Sequence, residues 1–255
     1  MSQVKQDLDT LEKFLQYARH ERNFSEQTVR AYEADLRQLQ EYCQTIGIEQ
    51  TLDQLKTEHI EQYLAWLRRS ERTDSTIERK LSSVRSFYSF LKKRDIRPDQ
   101  PASDLNFQNR HRPLPTVWSE KEIQQFIEVP DTTSPPGLRV WALILVLYYT
   151  CARVSEVVGL DWQDYSPERT ELTVLGKGKK PRTVPLGPPA VEALEDWRER
   201  SVDDPEQPIF TNQRGERITT RGIRYLVDKY HAMVTVDKPI SPHVFRHSCA
   251  THMLN

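Results

Sequence analysis

Residues 138–156 read Leu138-Arg139-Val140-Trp141-Ala142-Leu143-Ile144-Leu145-Val146-Leu147-Tyr148-Tyr149-Thr150-Cys151-Ala152-Arg153-Val154-Ser155-Glu156, and their character changes at Thr150. From about Leu138 to Tyr149 the chain is apolar on most sides, the pattern of a helix buried inside a domain. The run Val140 to Tyr149 has only about half the length a bilayer crossing needs. After Thr150 a short helix containing Val154, Val157 and Val158 is predicted. Arg153 would then stand at the end of a buried helix, held by the valines around it. Taken alone, a surface arginine paired with Glu156 is the better reading of this fragment.

C-terminal to this stretch, Leu172 to Leu175 and Arg182 to Leu186 are β-like runs around Gly176-Lys177-Gly178-Lys179-Lys180, a Gly/Lys-rich hairpin turn. Residues 176–182 hold four cations and no acid. Such a turn suits a DNA groove, with lysine contacting phosphate as a point charge, although solvated hairpin tips are also common. The GxxxxGK[ST] spacing of a nucleotide-binding loop is absent. Helices are predicted at Ala190–Arg200 and Thr220–Val234. In the second, Thr219-Thr220-Arg221-Gly222-Ile223-Arg224 could set Arg221 and Arg224 in a major groove, and a plain amphipathic helix explains it nearly as well.

A last helix is predicted after Ser241-Pro242, with serine as N-cap and proline at the first helical position. The spacing of His243 and Arg246 puts both on one face near the positive end of that helix, where an anion is favoured. His243 and His247 stand four apart as zinc ligands do. However, Val244 occupies the place where a metalloprotease needs glutamate, and no third ligand cluster is visible, so no metal is expected.

N-terminal to the opening stretch, Ser119-Glu120-Lys121-Glu122 is a capping box. Before it, Asp95 to Thr116 loses periodicity: Pro98, Pro101, Pro113 and Pro115 punctuate polar sequence that includes Asn109-Arg110-His111-Arg112, as in a linker. The first hundred residues read as four helices. Their apolar stripes are Leu8, Leu11, Phe14, Leu15; Val29, Tyr32, Leu36, Leu39 after an N-cap at Ser25; Ile60, Tyr63, Leu64, Leu67 from about Thr57; and Ile77, Leu81, Val84, Tyr88, Leu91 after a capping box at Ser75-Thr76-Ile77-Glu78. The other faces of the fourth present Arg79, Ser82, Ser83, Arg85 and Ser86, suited to a phosphate backbone.

Composition is consistent with a two-domain globular chain of 255 residues, 37% hydrophobic and 29% charged. Net charge is −1, but residues 1–63 hold 7 basic and 12 acidic groups, whereas 68–97 hold 10 and 4. That asymmetry can make a basic face on a neutral protein, or merely a solvated helix surface. Cys43, Cys151 and Cys249 lie far apart with no CxxC pair, which predicts reduced thiols in a cytosolic protein. The N-terminus MSQVKQDLDT has no apolar signal region, so a soluble, cytoplasmic protein without membrane partners is expected.

Singly these signatures are weak; their order is not. Ala152-Arg153-Val154-Ser155-Glu156, then Gly176-Lys177-Gly178 leading to Arg182-Thr183-Val184-Pro185-Leu186, then Ser241-Pro242-His243-Val244-Phe245-Arg246-His247 with Ala250-Thr251-His252 resemble the tyrosine recombinase (phage integrase) family, closest to its short Xer-type members. The resemblance covers essentially the whole chain. It implies a mainly α fold with a small β-sheet: a helical core-binding (SAM-like) domain at 1–95, a linker at 96–116 and a mixed α/β catalytic domain at 117–255, closing on duplex DNA as a clamp. Arg153 and Arg246 would hold the scissile phosphate, Lys177 would be the general acid for the leaving 5′-oxygen, His243 would assist proton transfer, and Glu156 would support the arginines. Arg79, Arg85, Lys179, Lys180, Arg182, Arg221 and Arg224 would contact DNA. The implied partners are a double-stranded recombination site and other recombinase protomers, a tetramer in the family, and no cofactor is expected. Fixed guanidinium pairs and a cationic acid suit phosphoryl transfer, which spreads negative charge over equatorial oxygens.

The family pattern continues with a second His or Trp and a nucleophilic Tyr. Here nine residues follow Arg246, and Tyr148, Tyr149, Tyr165, Tyr225 and Tyr230 all precede it outside the nucleophile's context. A fragment of an active enzyme is therefore expected, binding DNA without cleaving it and with weakened self-assembly. The rivals are a non-catalytic DNA-binding regulator derived from a recombinase, a type IB topoisomerase-like enzyme, and a helical scaffold with no duplex affinity. The recombinase reading requires Arg153, Lys177, His243 and Arg246 to converge on one phosphodiester.

Overall fold

The computed structural model describes residues 2–105, 116–176, 178, 180–201 and 204–253, with 2–9 described by backbone alone. Lys177, Lys179, residues 106–115 of the linker with the 109–112 charge run, and the Leu8 side chain lie outside the described residues. The chain divides into two compact units, Met1–Arg112 and Pro113–Asn255. Its class is mainly α with one small sheet. No described helix is long and apolar enough to cross a membrane.

The first unit contains α1 (Ser2–His20), α2 (Glu26–Thr45), α3 (Thr57–Arg69) and α4 (Asp74–Lys93). Leu11, Phe14, Val29, Leu36, Ile60, Tyr63, Leu81 and Leu91 are all buried in one core, so the 3.6-residue stripes do meet. Phe14 packs edge-on to Phe87 with ring centroids 5.5 Å apart. Ser25 caps α2 by accepting from the Thr28 amide at 3.2 Å. In α4 the cap is Thr73, which accepts from the Thr76 amide at 3.4 Å. Ser75 is therefore already inside the helix, and its hydroxyl pairs with Thr73 at 3.2 Å; two hydroxyl candidates compete at this start, and the earlier one wins.

The polar side of α4 is also more buried than its composition suggests. Asp35 of α2 is buried with its side chain 2% exposed. Lys80 Nζ donates to Asp35 Oδ1 at 2.8 Å, Ser83 Oγ donates to Oδ2 at 2.7 Å, and Arg79 pairs with the same carboxylate. Lys80 and Ser83 thus turn inward on Asp35 while Arg79 joins from a half-exposed position, and Ser83, read as an exposed phosphate contact, is fully buried. Arg85 donates to the carbonyls of Ala102, at 3.0 Å, and Leu105. Arg97 holds the loop before α3 through the carbonyls of Asp53 at 2.8 Å and Leu55 at 2.7 Å. Much of the basic excess at 68–97 therefore serves the fold itself.

The second unit is built around α6 (Pro135–Thr150), buried along nearly its whole length from Gly137 to Leu147. It starts three residues earlier than its apolar run, because Ser134 caps it and prolines fill the first turn, where no intrahelical amide bond is lost. The other helices are α5 (Glu120–Ile127), α7 (Val154–Val158), α8 (Pro188–Glu199), α9 (Thr220–His231) and α10 (Pro242–His252). Ser119 and Glu122 form the capping box of α5. Strands β1 (Tyr165–Ser166), β2 (Glu171–Leu175) and β3 (Pro181–Pro185) make an antiparallel sheet in the order β1-β2-β3. Leu172 pairs with Val184, and Val174 with Arg182. Leu172, Val174 and Val184 are buried, so Arg182, two residues from Val184, shares the inward face. β1 was missed in the sequence because two residues carry no alternation.

Removing the Asp35 carboxylate should strand Lys80 in the core without a counter-charge. Asp35→Ala is expected to destabilise the first unit by about 3–5 kcal/mol, read as a lower urea midpoint by circular dichroism. A loss indistinguishable from that of an exposed control such as Glu41→Ala would show that the cluster is energetically silent.

Candidate active site

At the C-terminal end of α6, Thr150 donates its hydroxyl to the Val146 carbonyl at 2.6 Å and accepts from the Ala152 amide at 3.1 Å. Cys151 follows in the left-handed conformation, φ +46°. This turn ends α6 and presents Arg153 as the N-cap of α7. The Arg153 amide donates to Glu156 Oε2 at 2.7 Å and its guanidinium to Oε1 at 2.8 Å. Both readings of this fragment are thus partly right: Arg153 does pair with Glu156, but that carboxylate is buried, only 2% exposed.

Glu156 collects more than one arginine. Arg182 reaches across from β3 and donates to Oε2 at 2.9 Å. Arg246 of α10 lies 3.9 Å from the same oxygen and donates to the Cys151 carbonyl at 2.6 Å. Three guanidinium groups share one carboxylate, leaving an excess of positive charge for an incoming anion. Burial opposes ionisation of Glu156, yet the Arg153 amide, the Arg153 guanidinium and Arg182 outweigh it and hold the carboxyl below its ordinary value. Burial, then the charge of Arg153, pulls Arg246 down from its ordinary value.

α10 is aimed by its buried face. Phe245 packs against Phe126 with centroids 5.1 Å apart, and Ser248 Oγ accepts from the Trp118 amide at 2.9 Å. Ser241 caps the helix by accepting from the Val244 amide at 3.2 Å. The opposite side then turns His243 and Arg246 into a cavity of about 330 Å³, which Arg153, Ser155, Arg224 and Ser241 also line. Three of the four residues required to converge, Arg153, His243 and Arg246, therefore meet around one cavity; Lys177 lies outside the described residues.

The residues read as DNA contacts are distributed differently. Arg224 lines the cavity itself, and Arg221 is exposed on α9. Lys180 is exposed at the base of the hairpin, where its carbonyl accepts from the Gly176 amide at 2.9 Å. Arg182 is turned from the hairpin tip toward Glu156, while Arg79 and Arg85 are engaged within the first unit. Ser155 and the Cys151 carbonyl escaped sequence reading, because nothing in their local spacing marks them. Among the described residues no tyrosine lines the cavity, and the Tyr148 hydroxyl bonds His252 Nδ1 at 2.9 Å. No group of three or more metal-ligating side chains occurs among the described residues.

The expectation of reduced thiols is overturned at this site. Cys151 and Cys249 form a disulfide with Cα atoms 5.8 Å apart, across 98 residues of sequence. Linear spacing gave no warning, because the pair meets only when α10 packs beside the end of α6. The bond staples the turn before Arg153 to the helix carrying Arg246. In the chain-entropy account, a loop of that length contributes about 5 kcal/mol. Cys249→Ser, or a strong reductant on the parent chain, is expected to lower the melting temperature by roughly 10 °C; no change under either treatment would refute the staple.

Glu156 supplies a second expectation. Its folded pKa lies below the ordinary 4.5, so its stabilisation is complete above that pH and is lost as pH falls through the folded value. Glu156→Gln should flatten that acid-side loss. Glu156→Ala, which leaves the guanidinium groups facing one another, should cost about 2–3 kcal/mol, less than a fully buried pair because the arginine heads reach solvent. Thermal melts between neutral pH and pH 3 test both.

Comparison with known proteins identifies the family. The model of the phage integrase family matches residues 117–255, and that of the phage integrase N-terminal SAM-like domain matches residues 11–95. Tyrosine recombinase XerC of Leptospira interrogans serogroup Icterohaemorrhagiae serovar copenhageni is 35% identical over 97% of this chain and 80% of its own length. Tyrosine recombinase XerC of Pelotomaculum thermopropionicum is 35% identical over 96% of this chain and 84% of its own. Among solved structures, the Tn1549 transposon integrase in complex with transposon right end DNA has a similar fold, with a TM-score of 0.75 at 18% identity, over 96% of this chain and 86% of that one. The chain belongs to the phage integrase family of tyrosine recombinases, enzymes that break and rejoin DNA.

Proposed function

We propose that this chain is a Xer-type site-specific recombinase chain whose arginine cavity grips the scissile phosphate of duplex DNA. The observation that carries the reading is the meeting of Arg153, His243, Arg246 and Arg224 around one cavity, with Glu156 beneath it. Arg153 and Arg246 bind the non-bridging oxygens and neutralise charge as it develops in the transition state. His243, at the mouth of α10, assists proton transfer, and Lys177 protonates the leaving 5′-oxygen. Glu156 keeps the guanidinium groups from swinging apart; Arg182 joins it in that support rather than touching DNA. Arg221, Arg224, Lys179 and Lys180 contact phosphates, and any contribution of Arg79 and Arg85 comes on top of their internal bonds. The working division remains a core-binding domain at 1–95, a linker at 96–116 and a catalytic domain at 117–255, with other recombinase protomers as partners on DNA.

No tyrosine of the described residues faces this cavity, so a polypeptide of these 255 residues should bind without forming a covalent adduct. That feature is also what a DNA-binding regulator derived from a recombinase would show. Two measurements test the proposal. Duplex affinity should fall steeply with salt, the logarithmic slope losing about 0.9 for each phosphate contact removed by Arg153→Ala or Arg246→Ala. A nicked suicide duplex should yield no protein–DNA adduct on a denaturing gel. Affinity indifferent to salt would sink the phosphate reading, and a trapped adduct would sink the inactive one.

A further inference from the structure

A second cationic cavity lies on the other side of α9. Arg139, the fifth residue of α6, is only 9% exposed, and its Nε makes no hydrogen bond although it is shielded from solvent. Among the described residues no carboxylate pairs with it, and burial draws its pKa down from the ordinary value. A guanidinium does not shed its proton in a protein, so the charge stays and is costly without an anion. Unsatisfied buried groups of this kind call for a partner.

Arg139 opens into a cavity of about 390 Å³ that Asn212, Arg214, Ile218, Tyr225 and Leu226 also line. Asn212 shapes its wall by accepting from the Arg214 amide at 2.8 Å and the Glu216 amide at 3.1 Å. Glu216, the acid in that turn, accepts from the Asn212 side chain at 3.0 Å and is not part of the lining. Tyr225 is 66% exposed. At helical spacing Gly222 and Leu226, which line this cavity, lie roughly opposite Arg224 on α9, and the two cavities share no lining residue, so this one is separate from the candidate active site.

We propose that this cavity binds a carboxylate carried on an apolar stem. The planar guanidinium fork of Arg139 matches a carboxylate bidentately, Arg214 stands at the rim as a second cation, and Ile218, Leu226 and the Tyr225 ring offer walls for the stem. The volume suits one small molecule. A phosphate dianion would be less well served, since only one of the two cations is buried.

The test uses hexanoate as probe, hexanamide as its uncharged counterpart and inorganic phosphate as the rival oxyanion, at constant ionic strength. Hexanoate should bind saturably by calorimetry and move the Arg139 Nε–H resonance, whereas hexanamide should do neither. Arg139→Met should weaken hexanoate by about tenfold or more without lowering the melting temperature, because it removes an unpaired charge. Arg214→Ala should weaken it less. If Arg139→Met fails to fold, the resonance titration of the parent chain decides. Absence of saturation by hexanoate, equal binding of hexanamide, or binding of phosphate alone would overturn the proposal. No readout involves DNA, so the result is independent of the recombinase reading.

Discussion

The buried carboxylate of Glu156 is the constraint around which the second unit is organised. A carboxylate cannot stay ionised away from water unless its oxygens are filled, and here the Arg153 amide, the Arg153 guanidinium and Arg182 fill them. The arginines come from three parts of the chain: the cap of α7, the strand β3 and, more distantly, Arg246 of α10. The carboxylate thus registers a helix start, a hairpin and a second helix against one another. What it leaves over is positive charge, aimed at a cavity. Structural support and phosphate affinity come from the same ion cluster.

The first unit contains a smaller version of the same device. Asp35 binds Lys80, Ser83 and Arg79 of α4 and fixes α4 against α2. In both units a single buried acid converts nearby basic residues from surface decoration into framework. The Arg139 cavity is the converse case, a buried base with no acid among the described residues, and for that reason it reads as a binding site rather than a strut.

Much of this was legible in the chain. The mainly helical class with a small sheet follows from stripes such as Ile77, Leu81, Val84, Tyr88 and Leu91 and from the alternation around the 176–180 turn. The family follows from the order of three short motifs. The inward turn of Arg182 was also readable, since it stands two residues from Val184 in a strand, but the cationic character of the hairpin drew attention to its tip. By contrast, no local pattern distinguishes Ser83 from Ser82, or marks Asp35 as the residue that will bury it. The disulfide is the clearest case: Cys151 and Cys249 are 98 residues apart, and spacing rules apply only to neighbours.

The amino-acid order alone determined which segments become helices and strands and which residues carry charge, because those properties depend on near neighbours. Only the folded chain decided which charges meet. Arg153, Arg182 and Arg246 come together because α6 is buried along most of its length, with α7, β3 and α10 packed against it. Whether a cation becomes support, site or surface depends on distances that close only when the core does.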